Sequence, residues 1–143
     1  MPYRYIEDIA TADIAFEATG ADLTEVFVSA AEATMGVMVD DLSTIRKAAE
    51  VFVELTGNEL DMLLYNLLNE LVYYKDARRL LLRVDSIGID ERGPVFSLKA
   101  KLAGEELDRK RHPLKVDVKA VTLHRFGLIK TEEGWKATVV LDI

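Results

Sequence analysis

The run Glu59–Asp76, ELDMLLYNLLNELVYYKD, constrains the fold more than any other stretch of the chain. Leu60, Met62, Leu63, Leu64, Leu67, Leu68, Leu71 and Val72 spread apolar surface around much of a helical girth. A helix of that kind is badly placed on a surface and belongs at the centre of a core. The rest of the chain must therefore wrap around it. Asn58 stands as its cap, with Asp61 at the N3 position in a variant of the capping box. Asn69 and Glu70 interrupt the apolar surface in its C-terminal half.

The wrapping material is mostly of period two. In ADIAFEAT, Ile14, Phe16 and Ala18 point one way, while Asp13, Ala15 and Glu17 point the other. That alternation predicts a half-buried strand, ended by Gly20. Asp22 or Thr24 caps a helix running to about Val39, with Leu23, Val26, Phe27, Ala30, Ala31, Thr34 and Met38 near one face. AAEVFVELTG is a strand closed by Gly57. From Leu80 the pattern is β throughout: LLLRVDSIGID, a turn at ERGP, VFSLKAKLAG, and a charged loop, GEELDRKRHP. LKVDVKAVTLHRF then reads as one long strand with Val116, Val118, Ala120, Thr122 and His124 on one face. GLIKTEEGWKATVVLDI reads as a hairpin turning at Glu132–Gly134. Two helices and about seven strands predict an α+β fold. We expect a single domain over residues 1–143, a mainly antiparallel sheet with two helices packed on one side of it.

Several function classes fall away. The chain has no cysteine, which removes disulfides, thiolate nucleophiles and zinc–thiolate sites. That fits a reducing cytoplasm. MPYRYIEDIA lacks the basic and apolar regions of a signal peptide. No apolar run approaches the ~20 residues of a membrane helix, so no membrane partner is expected. The formal charge of −7 argues against bulk binding of nucleic acid. The charge is uneven, with nine acids and one base in residues 1–41 against fifteen bases and ten acids in residues 75–136. Such asymmetry points to a partner or an ion, or to two solvated faces. There is no G-x-S-x-G, Walker A or G-x-G-x-x-G motif. His112 and His124 lack the spacing of a helical zinc site.

Carboxylates remain. Asp13 starts a strand, Asp40 and Asp41 follow a helix, and Asp142 with the Ile143 carboxylate closes the last strand. Two acids past a helix C-terminus face its partial negative charge, so a cation, a base or water must compensate. A hard cation takes oxygens from several segments, and element ends are where these can converge; solvated acids fit the same spacing. Lys119 is either part of a polar stripe with Lys115 and Asp117 or a functional group. Arg109, Lys110, Arg111 and His112 form a basic loop, read as solvated or as a phosphate or RNA contact.

Five stretches share one resemblance. TADIAFEATG resembles the N-terminal signature of the archease family, and GVMVD, ending at Asp40, its helix end. LLNELVYYKD, VDVKAVTLH and VVLDI resemble its central helix, its V-K-A-[IV]-T strand and its C-terminal motif. Their order and spacing match along the whole chain. One departure stands out: Ala10 occupies the place where the family usually has His, and Ile9 a place where an acid is common. Glu7 and Asp8, just upstream, are candidates to replace that acid.

The resemblance implies a cytoplasmic accessory factor of the GTP-dependent tRNA-splicing RNA ligase, with tRNA engaged only indirectly. That ligase joins a 2′,3′-cyclic phosphate or 3′-phosphate end to a 5′-hydroxyl. Factors of this family promote guanylylation of the ligase's active-site histidine and multiple turnover, and widen the nucleotides it accepts. The resemblance also implies a divalent cation, Ca²⁺ first, with Mg²⁺ or Mn²⁺ as alternatives. Its ligands would be Asp13 and Asp142, with Asp40 and the Ile143 carboxylate, and Lys119 would serve activation. No catalysis of its own is expected. Two other classes compete: a metal-dependent phosphoester hydrolase using the same acids, and an RNA-binding chaperone or modulator of tRNA modification using the basic loop.

Overall fold

The computed structural model describes residues 2–6 and 13–143. Helix α1 (Leu23–Met38) opens on Asp22, whose carboxylate accepts the Glu25 amide at 2.8 Å. This is the N-cap that the spacing predicts. Helix α2 (Leu60–Arg78) starts one residue later than expected. Glu59 is its N-cap and makes no side-chain bond, while the Asp61 carboxylate accepts the adjacent Met62 amide at 2.8 Å. Asn58 therefore caps nothing. The apolar girth of α2 narrows to a stripe in which Leu63, Leu64, Leu67, Leu68, Leu71 and Val72 are buried; Asn66 and Tyr73 face outward.

The fold is α+β with seven antiparallel strands and two helices, as predicted, but the strands divide between two sheets. One sheet has the order β1 (Tyr3–Ile6), β2 (Asp13–Gly20), β7 (Gly134–Asp142), β6 (Ala120–Thr131). The other has the order β3 (Ala49–Gly57), β5 (Phe96–Glu106), β4 (Leu80–Asp90). Each helix contacts strands of both sheets, so neither covers one sheet alone. A contiguous buried cluster joins Phe16 and Val139 of the first sheet to Phe27, Leu67 and Leu102. Alternation assigns faces to a strand and leaves its partners open, which is why the split is invisible in the pattern.

The segment before β6 is where the pattern misleads. Leu114–Lys119 is not strand; it runs along the end of α1. The amides of Lys115 and Val116 donate to the carbonyls of Met38 at 2.8 Å and Val37 at 3.3 Å. The Asp40 amide donates to the Pro113 carbonyl at 2.8 Å. A helix end leaves such carbonyls without partners of its own, and this segment supplies them. Pairing of β6 with β7 then breaks between Thr122 and Gly127. Leu123 to Phe126 bulge from the ladder, with Arg125 in the left-handed region at φ 54°. His124 is exposed on that bulge and does not share a sheet face with Val118. Phe126 turns back to meet the Tyr65 ring edge-on, 5.5 Å between centroids.

Candidate functional site

The first and last long strands bring two of the expected carboxylates together. In the β2–β7 register, Asp13 stands directly opposite Asp142. Side chains at opposed positions share a face, with Cβ atoms about 4.5–5.5 Å apart, and like charges there destabilise the pair. Both residues are half-buried, as is Ile143 next to them. On the other side of β7, Ala120 stands opposite Asp142, and the Lys119 amide donates to the Asp142 carbonyl at 2.8 Å. Lys119 itself is exposed. One sheet end therefore gathers Asp13, Asp142 and the backbone of Lys119 from three chain segments.

Asp40 is placed differently. It is exposed past the end of α1, and Lys115 Nζ lies 4.0 Å from its carboxylate. Among the described residues no three His, Cys, Asp or Glu side chains gather closely enough to hold a metal, so Asp40 does not complete a three-carboxylate cluster with Asp13 and Asp142. Asp41 has a local task. Its carboxylate accepts the Ser43 amide at 3.0 Å and hydroxyl at 2.6 Å, which caps the short 3₁₀ turn Leu42–Thr44. Those bonds hold its pKa below the usual carboxylate value. Asp13 and Asp142 supply carboxylate oxygens, the donor type that a hard cation takes. Glu7, Asp8, Ile9 and Ala10 lie outside the described residues.

The basic loop separates into two halves. Arg109 and Lys110 are exposed, while Arg111 is half-buried and His112 only 2% exposed. His112 Nδ1 accepts the Asp108 amide at 2.9 Å. A neutral ring then carries its proton on Nε2, which lies 3.2 Å from Glu105 Oε2 and donates to it. Arg111 pairs with Glu105 Oε1 and donates to the Thr44 carbonyl at 2.9 Å. The Arg46 amide also donates to Glu105, at 2.6 Å. The Arg111 guanidinium, more than the other donors, pulls the Glu105 carboxyl down to about 2. Arg111 and His112 thus hold the loop to the body of the protein and leave two basic side chains on its surface.

Lys75 is the residue that the sequence reading passed over. It is 7% exposed and lies in α2, four residues beyond Leu71 and three beyond Val72, so it continues the buried stripe. Helical spacing marks that position as inward, a signal the sequence does carry. Its ammonium meets the Asp76 carboxylate, Asp117 Oδ1 at 2.6 Å and the Val118 carbonyl at 2.8 Å. Three acceptors for three donors satisfy the buried charge. They also tie α2 to the backbone just before Lys119.

The comparisons with known proteins bear on the family of the chain. The model of the Archease protein family (MTH1598/TM1083) matches residues 3–143. The chain belongs to the archease family. The archease of Archaeoglobus fulgidus is 39% identical, with all of both chains covered. That of Methanosarcina acetivorans is 40% identical over 99% of this chain and 95% of its own. The solution structure of Methanobacterium thermoautotrophicum protein 1598 superposes with a TM-score of 0.85 at 35% identity, covering 99% of each chain. A Thermotoga maritima archease, named as a possible chaperone, has a TM-score of 0.61 at 18% identity over 96% of this chain, a likeness of archease fold alone. Among the described residues no helix is long and apolar enough to cross a membrane.

Proposed function

We propose that this archease-family protein is an accessory activator of the GTP-dependent tRNA-splicing RNA ligase, working in the cytoplasm. It raises guanylylation of the ligase and lets one ligase complete many turnovers. The observation that carries the reading is the register of Asp13 against Asp142, with the Lys119 backbone bound to Asp142 at the same sheet end. In this reading Asp13, Asp142 and the Ile143 carboxylate hold a divalent cation, Ca²⁺ first and Mg²⁺ or Mn²⁺ otherwise. Asp40, on a neighbouring segment, lies outside that set unless α1's end moves. The cation neutralises two acids that repel each other, and its charge would dominate the local field. Lys119, whose amide is bound to the Asp142 carbonyl and whose neighbour Val118 is bound by Lys75, is in this reading the group that acts on a transferred phosphate.

The test mixes the protein, substoichiometric to a cognate ligase, with GTP, Mn²⁺ and a tRNA-half substrate. Guanylylation rate and ligation turnovers are counted. A rise in both, with one copy serving many ligases, supports the activator. An active ligase that is indifferent to the protein refutes it. A second reading, an RNA-facing chaperone, is favoured by Arg109 and Lys110 alone in the basic loop. Salt-sensitive tRNA binding without any ligase would mark it.

A further inference from the structure

A cleft of about 360 Å³ opens where the ends of α1 and α2 meet the segment 107–117. Its volume lies within the range of small-molecule sites. Four bases line it: Lys75, Arg79, Arg109 and Lys115. Two acids line it, Asp76 and Asp117, and both are engaged by the Lys75 ammonium. Arg79 and Arg109 make no ion pair among the described residues, and Lys115 reaches Asp40 at 4.0 Å and the Gly36 carbonyl at 3.5 Å. Counting charges, the Lys75 group sums to −1 and the other three bases to +3, a local +2 in a chain of −7. Beneath the bases lie Met38, Leu81, Leu107 and Leu114. Arg79 adds an argument of its own. It sits at φ 54°, the left-handed end of α2, where glycine is the favoured occupant. An arginine there carries a backbone cost that glycine would not, and its cation lies at the negative end of the helix.

We infer that this cleft is a binding site for a nucleotide unit, its phosphate on Arg79, Arg109 and Lys115 and its base on the apolar floor. Guanidinium groups match phosphate oxygens in pairs. The free lone pairs of Asp76 and Asp117 accept from ribose hydroxyls or base amino groups. The unit comes either from a free nucleotide or from a single strand of RNA, since both carry the same groups. The cleft is lined by neither Asp13 nor Asp142, and the inference does not depend on ligase activation.

The test follows backbone and guanidinium NMR signals of the whole protein during titration with inorganic phosphate, adenosine 5′-monophosphate, a short oligoribonucleotide and a glutamate peptide. The inference expects shifts at Arg79, Arg109 and Lys115, with the nucleotide or oligonucleotide tighter than phosphate. The tighter of those two identifies the source. Arg79→Gly, which the backbone accepts without strain, and Arg109→Ala should each weaken binding about tenfold or more. Lys130→Ala, on the β6–β7 hairpin, should leave it unchanged. Equal affinity for phosphate and nucleotide, peptide binding without nucleotide binding, or full binding by both variants would each overturn it.

Discussion

Asp13 and Asp142 face each other with like charge, and a single substitution exposes what that costs. Without a cation, Asp13→Asn removes the repulsion and should raise stability by about 0.2–1 kcal/mol, read as a higher melting temperature in chelator. With Ca²⁺ well above the parent's Kd the order should reverse, because the parent protein gains more from the ion than the variant does. A variant that melts like the parent in both conditions would deny any electrostatic coupling there. Glu105 makes the opposite kind of residue-scale claim. Its folded pKa of about 2 lies below the ordinary 4.5. A depressed carboxylate stabilises the fold above its unfolded pKa, and that contribution is lost as pH falls from near 4.5 toward 2. Glu105→Gln should flatten acid unfolding in this window, whereas Asp90→Asn, whose partner Arg92 is fully solvated, should barely change it. Residue identity alone announced neither task for Glu105 nor for Lys75. A carboxylate in a charged loop looks like surface until the elements around it are placed, whereas Lys75 shows itself only through its helical spacing from Leu71 and Val72.

At the scale of elements, the sequence was readable where a single element decides its own form. Asp22 caps α1, and the inward row of α2 follows helical spacing. It was unreadable where a neighbour decides. Leu114–Lys119 alternates like a strand, yet its amides are taken by the last carbonyls of α1, so β6 begins only at Ala120. Tyr3–Ile6 becomes a strand because β2 accepts it as an edge; four residues carry too little pattern to say so. The β5–β4 contact gives a sharp prediction. A Cβ on Gly104 would sit 1.8 Å from the Leu81 carbonyl oxygen, so Gly104→Ala must push two backbones apart. We expect a loss of more than about 2 kcal/mol in urea unfolding, against near-neutral behaviour for Gly88→Ala, whose Cβ meets nothing within 4 Å. Leu67→Ala, at the buried centre of α2, should cost about 2–5 kcal/mol.

On the scale of the molecule, helices held against two sheets leave the termini of β2, β6 and β7 to meet at one end. Spacing alone left open whether Asp13 and Asp142 meet; the family resemblance named both, and the β2–β7 register stands them opposite each other. Asp40 was not placeable, because the end of α1 is set by the returning 113–116 segment and not by its own sequence. A cation at the sheet end would tie strands from opposite ends of the chain, and folding would be linked to its concentration. The most direct measurement is calorimetric titration of the metal-free protein with Ca²⁺, beside Asp13→Asn and Asp142→Asn. The account predicts one ion per parent chain and a loss of affinity of about tenfold or more in each variant. Absent binding by the parent, or equal binding by the parent and both variants, would contradict it.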